Sequence, residues 1–159
     1  MTPRKLDDAR RCFRIGDPEG RFRIWDDGGA RLVSGRWHGA GAGVIYAAEH
    51  YSTAMLEKLV HHNGHLPRGQ HWIDVHIPAG TSYEVVTGDM LPRWAERDGT
   101  AARTFGAAWQ AERRSCLLYV PSVVARMERN VIINTAHPDF AGLKPGLETP
   151  VWWDDRLFG

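Results

Sequence analysis

GRWHGAGAGVIYAAEHYSTAMLE, residues 35–57, decides how the rest of this chain is read. The stretch opens on an Arg-Trp pair and a loop with glycines at 39, 41 and 43. Val44-Ile45-Tyr46 is short and β-prone. Ser52 reads as an N-cap that opens a helix from Thr53 to about His62, with Asn63-Gly64 as its stop. Met55, Leu56, Leu59 and Val60 mark that helix's apolar face, and Glu57 lies just off it. An arginine, a tyrosine and a glutamate therefore fall at the edges of three successive elements. The order of those elements argues against a dinucleotide fingerprint. Such a fingerprint places its glycines after a strand and before a helix, so that the helix N-terminus meets a pyrophosphate. Here the glycines lead into a strand.

Working outward, residues 11–15 (RCFRI) alternate, with Phe13 and Ile15 inward and Arg14 on the other face. Asp26-Asp27-Gly28-Gly29 signals a turn. Residues 72–77 (WIDVHI) alternate strictly, and Ile73, Val75 and Ile77 point inward; Pro78-Ala79-Gly80 ends that strand and residues 82–86 suggest another. A helix is expected from Thr100 to about Arg114, with Phe105, Ala108 and Trp109 near one stripe. Residues 116–120 and 130–133 read as buried strands, the second followed by a loop over 134–138, and residues 151–153 as a last strand. Strands outnumber helices and are not regularly separated by them. That pattern favours an α+β fold over a doubly wound one, and 159 residues suit a single domain over 1–159.

Net charge is +1 and the basic residues are scattered, which argues against direct nucleic-acid binding, where a basic stripe is usual. Cys12 and Cys116 share no CxxC spacing and read as small buried hydrophobes in a reducing compartment. The N-terminus has no apolar core of a secretory signal, and no apolar run reaches 18 residues, so a cytoplasmic protein without a membrane span is expected. His61, His62, His65, His71 and His76 raise the question of zinc. Asn63-Gly64 should break the helix between the His61/His65 pair and there is no HExxH, so no metal is expected. Most of the seven tryptophans read as core, with one or two left to line a pocket.

Individual residues keep two readings. Arg36 is either an exposed arginine paired with an acid or a guanidinium fork for phosphate oxygens beside a glycine-rich turn. Glu57 is either a solvated helical glutamate with His61 at i+4 or a carboxylate at a cleft rim. In the second case it would stabilise the positive charge of an oxocarbenium-like state in glycosidic cleavage. Ser122 has no GxSxG around it and reads as a strand-end serine. Asn130, Asn134 and His137 read as turn chemistry.

Taken in order, however, these residues resemble the RES-domain family, named for its Arg, Glu and Ser. The resemblance is carried by Gly35-Arg36-Trp37, Val44-Ile45-Tyr46 and Ala54-Met55-Leu56-Glu57. Val120-Pro121-Ser122, the run NVIINTAHP over 130–138, the FRI around Arg14 and Asp155-Arg156-Leu157-Phe158 extend it. Thr135 stands where the family's run has proline, which puts the shape of that loop in question. The resemblance implies a fold similar to ADP-ribosyltransferases, with two small β-sheets around an NAD-binding cleft and helices outside. It implies a bacterial type II toxin that consumes NAD+ without a metal, cleaving the nicotinamide–ribose bond. ADP-ribose would pass to a host protein, such as an enzyme of nucleotide synthesis. Hydrolysis or phosphorolysis of NAD+ is the alternative, and a non-catalytic module holding NAD+ and antitoxin the second. The implied partner is a DNA-binding Xre-type antitoxin that covers the active site. Implied catalytic residues are Glu57, Arg36 and Tyr46, with Tyr46 at the nicotinamide end and Glu57 on its ribose. Arg14, Arg36, Tyr46, Ser122 and Asn134 are the implied NAD+ contacts.

Overall fold

The computed structural model describes residues 3–159. In chain order the elements are β1 (Arg4–Lys5), β2 (Arg10–Gly16), α1 (Gly28–Leu32), β3 (Val44–Ala48), α2 (Tyr51–Val60), β4 (His71–Ile77), β5 (Ser82–Val85), α3 (Thr100–Ala111), β6 (Leu117–Pro121), β7 (Arg129–Asn134), β8 (Lys144–Pro145) and β9 (Thr149–Pro150). The fold is α+β. Its strands form one hydrogen-bonded path, β1-β5-β6-β7-β3-β2-β4-β8, with β9 also on β4. The expectation of two separate sheets is corrected in that respect, for a specific reason. β2 pairs with β4 along its whole length, and β3 with β7 along its whole length, yet β2 and β3 share only the pair Phe13↔Ala48. Two well-formed halves thus splay from a single seam, and the seam opens a cleft.

The alternation read from sequence places the core. Ile73, Val75 and Ile77 are buried on one face of β4, joined by Cys12, Leu117, Tyr119, Val131 and Ile133 from neighbouring strands. The opposite face of β6 and β7 buries Leu118, Val120 and Ile132 against Trp37, Trp94 and Trp109. Both faces of the central strands are covered, so their sequences read as nearly continuous apolar runs. Trp109 is fully buried, and its indole N–H donates to Ser115 Oγ at 2.8 Å, which satisfies the one polar group the ring carries.

Several boundaries differ from expectation. Helix α2 begins at Tyr51, with the extended His50 as its cap, so Ser52 lies inside the first turn and does not cap it. Its buried positions are Thr53 and Ala54, whereas Leu56 and Val60 are about half exposed. Asn63 and Gly64 both take positive φ, the expected stop. Helix α3 ends at Ala111, and Arg113 takes a left-handed conformation (φ 51°) that turns the chain into β6. Its stripe is Ala102, Gly106 and Trp109; Ala108 is exposed. Just beyond, Arg114 clamps the buried Glu84 of β5 through two hydrogen bonds of 2.9 and 3.1 Å. Residues 26–29, read as a turn, lead into the five-residue α1. Residues 151–153 form no strand, because the C-terminal segment reaches the sheet only through β8 and β9. Trp153 is buried there and donates to Pro67 O, while Trp152 is 76% exposed.

Cys12 and Cys116 are both fully buried. Burial pushes each thiol up to about 12. A raised value keeps both as neutral thiols at pH 8, and the thiolate is the reactive form. Native protein is therefore expected to take up less than about one-tenth of the maleimide or aromatic disulfide label that it takes up in denaturant. Rapid labelling of either cysteine in the native state would contradict this burial. Among the described residues no helix is long and apolar enough to cross a membrane.

Candidate active site

The seam between β2 and β3 opens into a cleft of about 570 Å³, walled by α2 on one side and by the segment around Arg36 on another. Its chemistry comes from few side chains. Glu57 is the one carboxylate in its lining, and Arg14, Arg36 and Lys58 are its fixed cations. Such a cleft suits a ligand that carries negative charge along most of its length and develops positive charge at one point.

Glu57 projects from the second turn of α2, where three and four residues along a helix share a face. Its Oε1 accepts from Ser122 Oγ at 2.7 Å and from Asn130 Nδ2 at 3.1 Å. Among the described residues no donor reaches Oε2. One oxygen is thus pinned and the other left for a ligand. Ser122 is fully buried, and its Oγ also accepts from the Ala125 N–H at 3.0 Å. It does not line the cleft but stands behind Glu57, hydrogen-bonded to the carboxylate. Asn130 does line the cleft, and its buried Oδ1 has no partner among the described residues. A buried acceptor left unpaired costs about 1–3 kcal/mol, which a ligand N–H or O–H would recover.

Arg36 is half-buried, and its Nη1 donates to Trp94 O (2.9 Å) and Glu96 O (2.8 Å). Those carbonyls fix the guanidinium while Nε and Nη2 stay uncommitted. Among the described residues no carboxylate pairs with it, so Arg36 is not an ordinary surface ion pair there. Arg14 donates to Ile24 O (2.6 Å) and Tyr46 O (2.7 Å), bracing the seam from the β2 side. Burial draws its pKa down from the usual guanidinium range, opposed by the charge of Asp26. Lys58 is likewise lowered, first by burial and then by the charge of Arg14.

Tyr46 offers the cleft its ring, because its hydroxyl is engaged elsewhere. The hydroxyl accepts from the Trp37 N–H at 3.0 Å and meets His38 Nδ1 at 2.7 Å. His38 Nε2 lies 2.9 Å from both Ala30 O and Val33 O, so it carries the proton, Nδ1 accepts, and the tyrosine donates. Burial pushes the phenol up to about 12, which keeps it protonated. His38 is a buried strut that ties α1 to the tyrosine.

Asn134, expected among the NAD+ contacts, is placed apart from Glu57. It is fully buried, donates to Gln110 O at 3.1 Å, accepts from the Ala136 N–H at 3.0 Å, and lies outside the cleft. It terminates β7 and ties it to α3. The nearby loop has its own bracing. Thr135 Oγ1 donates to Asp27 (2.6 Å) and contacts Gly43 O (2.9 Å), and its N–H donates to Gly43 O. A proline at 135 would lack both the hydroxyl and the N–H. His137 Nδ1 accepts from the Asp139 N–H and caps the following 3₁₀ turn. His61 and His62 bond carbonyls of their own helix.

Asn130 and Lys58 line the cleft although sequence reasoning did not place them there. Ladder position carries the signal for Asn130: it pairs with Ala48, at the α2 end of β3, whereas Asn134 pairs with Val44 at the far end. Lys58 carried no signal beyond following Glu57.

Residues 11–154 match the RES domain. The Prs ADP-ribosylating toxin of Sphingobium sp. (strain YBL2) is 40% identical over 134 residues, 81% of this chain and 83% of that one. Toxin Res of Pseudomonas putida is 35% identical over 136 residues, covering 82% and 90% of the two chains. Toxin Res of Photorhabdus laumondii is 34% identical over 119 residues, covering 73% and 76%. In fold the chain is similar to the toxin–antitoxin complex MbcT–MbcA of M. tuberculosis (TM-score 0.72, 12% identity, 92% of this chain and 86% of that one). With a match running from β2 to the C-terminal segment, this chain belongs to the RES domain family, alongside the Res toxins.

Proposed function

We propose that this chain is a toxin that consumes NAD+, cleaving the nicotinamide–ribose bond and passing ADP-ribose to a host protein. The observation that carries the reading is Glu57: a single cleft carboxylate with one oxygen pinned by Ser122 and Asn130 and the other free. Glycosidases use two carboxylates because the departing oxygen needs a proton. Nicotinamide leaves NAD+ as a neutral base, taking the C–N electron pair with it, so no acid is required. What the step requires is a negative charge beside the sugar carbon as it turns cationic, which Glu57 supplies. The acceptor then attacks that carbon and gives up its proton. Arg36 and Arg14 are the proposed diphosphate contacts, the ring of Tyr46 packs at the nicotinamide end, and the unpaired Asn130 Oδ1 suits a ribose hydroxyl. Transfer to protein is favoured over hydrolysis or phosphorolysis by the relative whose name records ADP-ribosylation of Prs. A cognate antitoxin of Xre type is proposed as the partner, in line with the complex that shares the fold.

Two variants test these roles. Arg36→Ala removes a charge-assisted contact of about 1.5–3 kcal/mol and is expected to weaken NAD+ at least tenfold by calorimetry. Unchanged affinity would remove Arg36 from the binding set. Ser122→Ala leaves Glu57 with one donor and Ala125 N–H with none. It is expected to lower kcat about tenfold, the worth of one such hydrogen bond, with KM little changed. A rise in KM at constant kcat would place Ser122 on the substrate instead.

A further inference from the structure

We propose that a second pocket, on the sheet face opposite the cleft, binds a phosphate group. The pocket has a volume of about 260 Å³ and lies where β1 and β5 approach the ends of β6 and β7. Arg4, Arg10 and Arg129 line it together with Tyr83 and Tyr119. Successive residues of a strand point to opposite faces, so Arg129 faces this pocket while Asn130, its neighbour, faces Glu57.

The charges are held in place and are not balanced. The Arg4 guanidinium lies 5.2 Å from the Tyr83 ring centre and that of Arg129 lies 4.9 Å from Tyr119. Stacking fixes the plane of each guanidinium; the Arg4 edge stays free to donate, whereas Arg129 Nε and Nη2 are taken by the Glu49 carboxylate and leave Nη1. Glu49 pairs with Arg129 at 2.7 Å. Among the described residues Arg4 and Arg10 have no carboxylate within ion-pair distance, so three cations share one anion. Tyr119 is 4% exposed, and its hydroxyl has no hydrogen-bond partner among the described residues. Burial pushes it up to about 12, so it remains a donor at neutral pH. The open forks of Arg4 and Arg10, the remaining Nη1 of Arg129 and a phenol together offer more donors than the roughly four lone-pair positions of a carboxylate accept. A phosphate, with its additional oxygens, matches them, and arginine forks bind it in pairs.

The test is amide NMR on the full chain, titrated at constant ionic strength with inorganic phosphate and separately with ribose 5-phosphate. Saturable shifts are expected at Tyr83, Tyr119 and Arg129. In the double variant Arg4→Gln, Arg10→Gln, affinity at these positions should fall at least tenfold, while NAD+ consumption and the rest of the spectrum stay unchanged. Both arginines are exposed, so the variant should fold. Tighter binding of the sugar phosphate would identify a phosphomonoester as the ligand; equal binding would identify the free anion. Shifts confined to cleft residues such as Arg36, shifts reproduced by chloride, or undiminished binding by the double variant would each overturn the site. Because this variant leaves Glu57 and Arg36 intact, that failure is distinct from a failure of the NAD+ reading.

Discussion

Glu57→Gln is expected to lower nicotinamide release from NAD+ by about 10³-fold, the scale of losing a preorganised group that stabilises transition-state charge. The substitution keeps the shape of the side chain, and the surroundings dictate how the new amide is oriented. Ser122 Oγ–H and Asn130 Nδ2–H both donate to the inner oxygen, so the glutamine carbonyl must occupy that place. The amide nitrogen then faces the cleft where the free carboxylate oxygen stood. Negative charge is removed while the hydrogen bonds that hold α2 to β7 remain. The expected signature is therefore an inactive protein with an unchanged Tm and near-normal NAD+ affinity. Turnover within tenfold of the parent would show that the charge-stabilising group lies elsewhere.

The largest effect on stability is expected at Gly106. Helix α3 packs so closely on the Arg36-Trp37 segment that a Cβ at 106 would overlap the Trp37 carbonyl, backbone against backbone. No rotamer change relieves such a contact, so the helix must lift off the sheet. Gly106→Ala is expected to cost about 3 kcal/mol, the upper part of the range for an overpacked core. For a chain of this size that lowers Tm by roughly 10 °C. Because Trp37 N–H holds the Tyr46 hydroxyl and Arg36 is its neighbour, KM for NAD+ should rise as well. Gly39→Ala is the matched control: a Cβ there meets nothing within 4 Å, and no change is expected. A Gly106→Ala protein as stable as the parent by thermal unfolding would contradict this packing.

Much of the fold was legible where one physical pattern dominated. The alternation of WIDVHI placed Ile73, Val75 and Ile77 in the core, and the apolar runs at 116–120 and 130–133 marked the central strands. Helix α2 was legible as a helix but not in its orientation. Its apolar residue Leu56 is exposed and Val60 lines the cleft with Glu57 and Lys58, while the buried side carries Thr53 and Ala54. A helix that serves a polar cleft does not follow an amphipathic rule built for a dry core. The closing strand expected at 151–153 failed for another reason. β-Propensity reads local preference, while an edge position was already taken by β8 and β9.

The candidate site was legible at Arg36, Tyr46 and Glu57, whose order in the chain matches the order of elements around the seam. The two asparagines of β7 show where sequence stops. Asn130 and Asn134 share a strand face, but at about 3.3 Å per residue they stand some 13 Å apart. Only the register of β7 on β3 assigns the first to Glu57 and the second to the end of α3. Ser122 shows the same limit in a different form. Its presence near the site follows from the motif, but its position behind the carboxylate follows only from the fold.

The central claim is that this cleft breaks the nicotinamide–ribose bond, and one measurement addresses it directly. NAD+ labelled in its adenylate half is incubated with the purified chain and a bacterial lysate, and both free nicotinamide and the label are followed. The account predicts stoichiometric release of nicotinamide with the label fixed to one protein band. Label recovered in ADP-ribose or its phosphate would keep bond cleavage and assign the acceptor to water or phosphate. If nicotinamide is never released, with antitoxin absent and Glu57 intact, the catalytic reading is wrong and the cleft only binds.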